Sequence, residues 1–339
     1  MKAIALISGG LDSTLAAKLI QDLGLELICL NTKSPFCLCD RHTSSGCLHS
    51  AALVAKKLGQ RLISINVTAE FFEIVKHPKH GYGSNLNPCL DCRILLFKKA
   101  KELMQREGAS FVITGEVLGQ RPMSQHRQAL KIIEQESGLE GLVLRPLSAK
   151  LLPETIPEKE GWVSREKLLN FSGRTRRPQM ALAKNFEIKD YPCSAGGCLL
   201  TDPGFSQRMK DLLKYEELNL NNVELLKLGR HFRISSAAKL VVGRDEGENQ
   251  RLANLAKAGD YLFMPKDIAG PTALGRGVFD EGLINFSCRL TSRYCDLDGK
   301  STADIVYKKI IDAGTVPEGD CPCIKALPIE ERKLISLRI

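Results

Sequence analysis

The chain has 339 residues, 43% of them hydrophobic, enough to bury a sizeable core and to make about two domains. Lys plus Arg number 48 against 39 Asp plus Glu, and the surplus of +9 favours a polyanionic partner, although a basic surface can also serve solubility alone. No apolar run of 18 residues occurs and Met1 leads straight into a strand pattern, so neither a membrane span nor a signal peptide is expected, and twelve cysteines in a chain read as cytoplasmic point to metal or sulfur chemistry rather than to a disulfide framework.

The first expected strand, Ala3 to Ile7, runs into Ser8-Gly9-Gly10-Leu11-Asp12-Ser13 and a helix pattern that continues to Leu23. Two glycines let the backbone turn sharply and bring its N–H groups against an anion. The helix dipole points its positive end at the same spot, so a phosphate is the natural occupant. The bland alternative is a Gly-Gly turn with Asp12 or Ser13 as a helix cap. A GxxxxGK(S/T) run is absent, which excludes a Walker-type loop. SGGxDS directly after an N-terminal strand instead resembles the PP-loop of the ATP pyrophosphatase superfamily, whose members split ATP between its α and β phosphates and make adenylated intermediates.

Strand-like and helix-like stretches then alternate. Glu26 to Leu30 and Arg61 to Val67 read as strands, Ser50 to Leu58 and Ala69 to Lys76 as helices. After a Gly/Asn-rich loop from Gly81 to Pro88 come a helix from about Asp91 to Arg106 and the strand Phe111 to Thr114. This pattern predicts an α/β fold, a Rossmann-like parallel sheet with helices on both faces. Ligands of such sheets sit beyond the carboxyl ends of the strands, where Ser8, Asn31 and Gly115 emerge.

Cys89-Leu90-Asp91-Cys92 sets two thiols three residues apart at a helix start, where the dipole favours thiolate. Cys193-Ser194-Ala195-Gly196-Gly197-Cys198 supplies more thiols in a glycine-rich turn. Three chemistries fit: two cysteines passing a persulfide and resolving it through a disulfide, four holding a structural zinc, or three holding a [4Fe-4S] cluster with one open iron. PP-loop, CxxC and a distant third cysteine together resemble the tRNA thiolation enzymes, including the iron–sulfur-dependent 2-thiouridine synthetases and some ThiI-type 4-thiouridine synthases. That resemblance implies that Cys89, Cys92 and Cys198 are cluster ligands. Cys193 lies five residues too early for the pattern. Cys37-Leu38-Cys39 with Cys47, and Cys321-Pro322-Cys323 with Cys288 and Cys295, read as ordinary reduced thiols, and His77 and His80 as surface residues without a carboxylate partner nearby.

Thr114-Gly115-Glu116, followed by Gly119-Gln120-Arg121, should face the PP-loop. Gly115 would let the chain pass close to ATP, Glu116 would help to hold Mg²⁺, and Arg121 would face phosphate or RNA. The family's usual His after this Gly is Glu116 here. The alternative for that residue is a capped, strand-ending turn.

The stretch Pro153 to Pro192 reads as an extension of the first domain with little apolar period, and its Arg174, Arg176, Arg177, Lys184 and Lys189 as a solvated face or an RNA track. Beyond Pro203 the pattern changes. Phe205 to Lys214 and Glu248 to Ala256 look helical, and Leu225 to Ile234, Lys239 to Val242 and Asp260 to Met264 look like strands. Gly229-Arg230-His231-Phe232-Arg233, Val241-Val242-Gly243-Arg244-Asp245, Glu248-Asn249-Gln250 and Gly259-Asp260-Tyr261, in that order, resemble the NFACT-R module, a small α+β domain associated with RNA binding.

The resemblances imply a PP-loop thiolation domain over 1–203 and an NFACT-R-like domain over 204–339. In the first, Leu6, Ser8, Gly9, Gly10, Leu11, Asp12, Ser13, Gly115 and Glu116 would bind ATP with Mg²⁺, and Asp12, Glu116, Cys89, Cys92 and Cys198 would be catalytic. The expected reaction is ATP-dependent sulfur transfer to a uridine of tRNA through an adenylated base, fed by sulfide or a sulfur-carrier protein. The alternatives are an amidating PP-loop ligase and a non-catalytic, nucleotide-responsive RNA-binding protein. Whether the chain forms a homodimer stays open at this level.

Overall fold

The computed structural model describes residues 1–37, 46–188, 197–311 and 321–339, which divide into two compact units, Met1–Asp202 and Pro203–Ile339. In the first, β1 (Lys2–Leu6), α1 (Leu11–Gln21), β2 (Glu26–Lys33), α2 (Gly46–Lys57), β3 (Arg61–Asn66), α3 (Thr68–Lys76), α4 (Cys89–Glu107), β4 (Phe111–Thr114), α5 (Arg127–Ser137) and β5 (Val143–Leu144) follow one another. The strands form one parallel sheet in the order β3-β2-β1-β4-β5. The central strand is apolar on both faces because both are covered. Ala3, Ala5 and Ile7 pack with Ile20 of α1 and Val54 of α2, whereas Ile4 and Leu6 pack with Phe97 of α4 and Ile133 of α5. β1 pairs with β2 on one side and β4 on the other, so the topological switch point, where α/β sheets open a crevice, lies between the carboxyl ends of β1 and β4. The doubly covered parallel sheet is the one the alternation predicts.

Within the first unit, residues 153–188 add helices beside the sheet. They carry α6 (Ile156–Lys159) and α7 (Arg177–Asn185), and Ala183 of α7 packs with Leu11, Leu15 and Ala16 of α1. Their apolar content is low because α7 needs only a narrow stripe to dock on a helix that already contacts the sheet.

The second unit contains α8 (Pro203–Tyr215), α9 (Leu220–Leu226), β6 (Arg230–Ser235), β7 (Ala238–Val242), α10 (Glu246–Leu255), β8 (Tyr261–Pro265), β9 (Ala273–Gly277), α11 (Glu281–Ser292), β10 (Ala303–Lys309), β11 (Cys323–Ala326) and α12 (Glu331–Leu337). Its strands make an antiparallel sheet in the order β11-β10-β8-β9-β7-β6. The expected strand from Leu225 to Ile234 is corrected. Its first part is the end of α9, because the Asn219 side chain accepts a hydrogen bond from Asn222 N at 2.9 Å and so starts a helix, with Val223 and Leu226 buried three residues apart. The motif residues of this unit pair internally: Asp260 Oδ2 accepts from Arg276 at 2.7 Å, and Glu248 accepts from Arg244 N at 2.9 Å. Cys288 is buried in the core beside Phe263 and Ile305, with Cys295 packed against it. Among the described residues no helix is long and apolar enough to cross a membrane.

Candidate active site

The turn from β1 into α1 is built by Gly9 and a web of hydroxyls. Gly9 has φ +78°, and a Cβ there would lie 2.6 Å from Cβ of Ser50 on α2. Ser13 Oγ donates to Gly10 O at 2.9 Å and accepts from Ser8 N at 3.3 Å, and Thr14 Oγ1 donates to Gly10 O at 3.0 Å. These bonds satisfy the Gly10 carbonyl and the Ser8 amide and fix the bend, while among the described residues no side chain caps the amide end of α1. An anion is the partner that end lacks.

Gly115 closes the site from the other side of the switch point. A Cβ there would lie 2.4 Å from Asp12 C and Ser13 N, so the exit of β4 touches the first turn of α1. Asp12 Oδ2 accepts from Gln120 Nε2 at 3.1 Å, and Oδ1 is buried without a hydrogen bond, 3.9 Å from Arg176. Burial raises the Asp12 pKa, opposed by Arg176, Gln120 and Arg121. Glu116 is 2% exposed; one oxygen accepts from Arg145 Nε at 3.1 Å, and Oε1, without a hydrogen bond, lies 3.6 Å from Arg93. Arg145 also holds Glu134 of α5. Glu116 thus sits in a buried ion cluster between α4 and α5, a network that Arg145, just beyond the two-residue strand β5, completes.

Cys89 opens α4 and Cys92 lies one turn on, on the same side of the helix. Cys198 reaches them because its segment is stitched to two others. Cys37 and Cys198 form an isolated antiparallel bridge, Leu199 N donates to Phe36 O at 2.8 Å, and Leu86 N, just before α4, donates to Leu200 O at 3.2 Å. The Cys198 thiol is pushed up to about 12, by burial first and then by Cys92, Cys89 and Cys37, and burial pushes Cys92 up to about 11. Cys89, Cys92 and Cys37 are thus all within electrostatic reach of the Cys198 thiol, and the backbone of Cys37 is bridged to that of Cys198. Cys39 and Cys193 lie outside the described residues, as does the Cys47 side chain. None of Cys37, Cys89, Cys92 and Cys198 is in a disulfide.

Arg121 joins the thiols to the phosphate corner. Burial lowers its pKa, Arg93 adds to that, and Cys89, Asp12 and Glu116 oppose it, so one guanidinium feels the first thiol of α4 and the carboxylate of the α1 turn together. His80 also departs from expectation. Its Nδ1 lies 2.8 Å from Asp91 Oδ1 and its Nε2 3.1 Å from Glu136 Oε1, so it ties the loop before α4 to α4 and α5. Both carboxylates are distant in sequence from the His77/His80 pair, which hides them from a reading of local spacing.

The family described as thiamine biosynthesis protein (ThiI) matches residues 1–151, and that described as NFACT protein RNA binding domain matches residues 229–315. The ThiI match covers the parallel-sheet part of the first unit and a little under half of the chain. A probable tRNA sulfurtransferase of Methanosarcina mazei is 30% identical over 123 residues, 35% of this chain and 29% of its own. The tRNA-specific 2-thiouridylase MnmA of Aeromonas salmonicida is 27% identical over 46% of this chain and 44% of its own, and that of Marinobacter nauticus 23% identical over 79% and 67%. The chain spans less than half the length of the first two relatives. The ThiI-type match ends before Arg176 and Cys198, which the fold nevertheless brings to the same site as Asp12 and Cys89.

Proposed function

We propose that this chain thiolates a uridine of tRNA, activating the base with ATP. The observation that carries the reading is the path from Gly115, where a Cβ would lie 2.4 Å from Asp12 C, to Glu116, whose Oε1 lies 3.6 Å from Arg93 beside Cys92, which brings an uncapped helix start and the thiols of α4 to one end of the sheet. The sulfurtransferase and thiouridylase relatives, and the RNA-binding match in the second unit, support it.

In this reading the amides of the Ser8–Ser13 turn receive the phosphates, and Gly115 leaves room for the nucleotide against the turn. A uracil carbonyl oxygen attacks the α phosphorus, and the bond to the β phosphate breaks with its electrons on the departing pyrophosphate. The sulfur nucleophile then adds to the activated carbon and AMP leaves. Asp12, whose Oδ1 is buried without a hydrogen bond, fits a Mg²⁺ ligand, and Glu116 Oε1 is a second such oxygen. Arg93 and Arg121 oppose the negative charge gathered there.

The donor chemistry of Cys89, Cys92 and Cys198 fits an iron–sulfur group. The thiols are not in disulfides, and burial raises the pKa of Cys92 and Cys198, so a cationic centre bound there would favour their thiolate forms. Among the described residues no three His, Cys, Asp or Glu side chains are placed to hold a single metal ion, and Cys193, the fourth thiol of the zinc alternative, lies outside them. When bound, a [4Fe-4S] cluster held by these three cysteines would supply an iron without a protein ligand, where sulfide can bind. The Cys37–Cys198 pairing favours a second reading, in which Cys198 carries a persulfide: its outer sulfur attacks the activated carbon, and Cys37 then attacks the inner sulfur, releasing the thiouridine and leaving a disulfide.

Nucleoside mass spectrometry of tRNA incubated with the Cys89→Ala variant tests the proposal. Thiouridine, formed by the wild type, should fall at least about 100-fold in the variant while ATP binding persists; undiminished thiolation would take Cys89 out of the reaction, and a wild type that makes no thiouridine sinks the proposal and leaves amidation or bare RNA binding. Iron and sulfide analysis of anaerobically prepared protein separates cluster from persulfide.

A further inference from the structure

Buried polar atoms at the start of α7 lack hydrogen-bond partners among the described residues. Arg176, at the N-cap of α7, lies 3.9 Å from Asp12 Oδ1, and its Nε is buried without a hydrogen bond. Three residues along, Gln179 is 1% exposed, and neither its amide nitrogen nor its amide oxygen has a hydrogen-bond partner. Ala183, one turn further, packs with Leu11 and Leu15 of α1. Arg176, Gln179 and Ala183 stand at i, i+3 and i+7, so they share the face of α7 that lies on α1, with Arg176 at the end next to the PP-loop turn. Natural proteins rarely leave a buried amide unpaired at both ends, and an orphan beside a helix start without a side-chain cap signals a ligand.

We propose that α7 is the wall of the nucleotide pocket on the leaving-group side: Arg176 binds the β and γ phosphates of ATP and then the pyrophosphate, and Gln179 is a positioning residue for that guanidinium. This rests on the nucleotide reading above and takes Arg176 out of the RNA-tracking run to which its basic neighbours suggest it belongs. The chemistry follows from charge. Pyrophosphate gathers negative charge as the bond to the α phosphorus breaks, and a planar guanidinium matches two of its oxygens. Asp12, whose Oδ1 lies 3.9 Å from Arg176, is left to a cation once the phosphates take the guanidinium. Gln179 Oε1 and Arg176 Nε are a complementary acceptor and donor on one helix face, so a small rotation pairs them as the guanidinium turns to the phosphate.

Calorimetric titration of the full-length protein with inorganic pyrophosphate and with α,β-methylene-ATP tests this. Arg176→Ala should weaken both by about tenfold or more, with partial recovery in Arg176→Lys, as expected for a charged hydrogen bond. Gln179→Leu removes an unpaired amide, so the ligand-free protein should melt no lower than wild type while the gain in melting temperature from pyrophosphate shrinks. A purely structural Gln179 would lower the melting temperature equally with and without ligand, which overturns its role. If wild type binds both ligands and Arg176→Ala binds them as well, the inference falls and the function above stands. If Arg176→Ala loses only tRNA affinity, Arg176 belongs to the RNA and the inference falls. If wild type binds neither ligand, the nucleotide reading falls with it.

Discussion

A side chain at position 115 would have to displace the backbone of Asp12 and Ser13, since its Cβ would lie 2.4 Å from both. Gly115→Ala should therefore cost about 1–3 kcal/mol of stability, the usual penalty for overpacking a close contact, and should also push the amide end of α1 out of place. Thermal melts and calorimetric titration with ATP check it: a lower melting temperature with ATP affinity reduced about tenfold is expected, and wild-type affinity would show that the contact does not shape the site. The turn from Ser8 to Ser13 is legible in the sequence because it is local, six consecutive residues between a strand and a helix. Cys37 and Gln179 are not legible in that way. One becomes informative only when Cys198 lies across from it, the other only because burial leaves its amide without partners.

Elements of the parallel sheet can be read from sequence because each strand is a continuous apolar run between helical patterns, whereas β5 has two residues and disappears among loops. α9 was hidden by its own composition, since Val223, Leu225 and Leu226 satisfy a strand pattern as readily as a helix and only the Asn219 cap decides. Strand β6 carries a titrating group that links the second unit to pH. His231 is 2% exposed, its Nε2 lies 2.7 Å from Leu228 O, and its pKa is held well below the ordinary value, by burial first and then by Lys239 and Arg208. A histidine kept neutral in the fold contributes stability that is present above its unfolded pKa of about 6.5 and is lost as pH falls towards the folded value, at up to about 1.4 kcal/mol per pH unit. Denaturant unfolding between pH 7.5 and 5.5 should show that loss, and His231→Phe should flatten it; an equal slope in the variant would assign the loss to other groups.

At the scale of the whole molecule, 48 basic against 39 acidic residues give an electrostatic argument that no single contact does. If the partner is tRNA, affinity measured by fluorescence anisotropy should fall about tenfold or more between 50 and 200 mM salt, because each phosphate neutralised releases condensed counterions. An affinity indifferent to salt would point to a neutral partner. The two-unit division was legible from the change of pattern after Pro203, while the full extent of the site was not, because its parts come from β1, α4, β4, α7 and the strand-like pair at Cys37 and Cys198. That pair sets a limit on dissection. Leu199 fastens to Phe36 as a backbone partner, so a recombinant fragment trimmed at residue 151, where the ThiI match ends, would forfeit one thiol, the guanidinium 3.9 Å from Asp12 and the segment that borders Cys37, and would keep the Gly9-Gly10 turn without the neighbours that complete the candidate site.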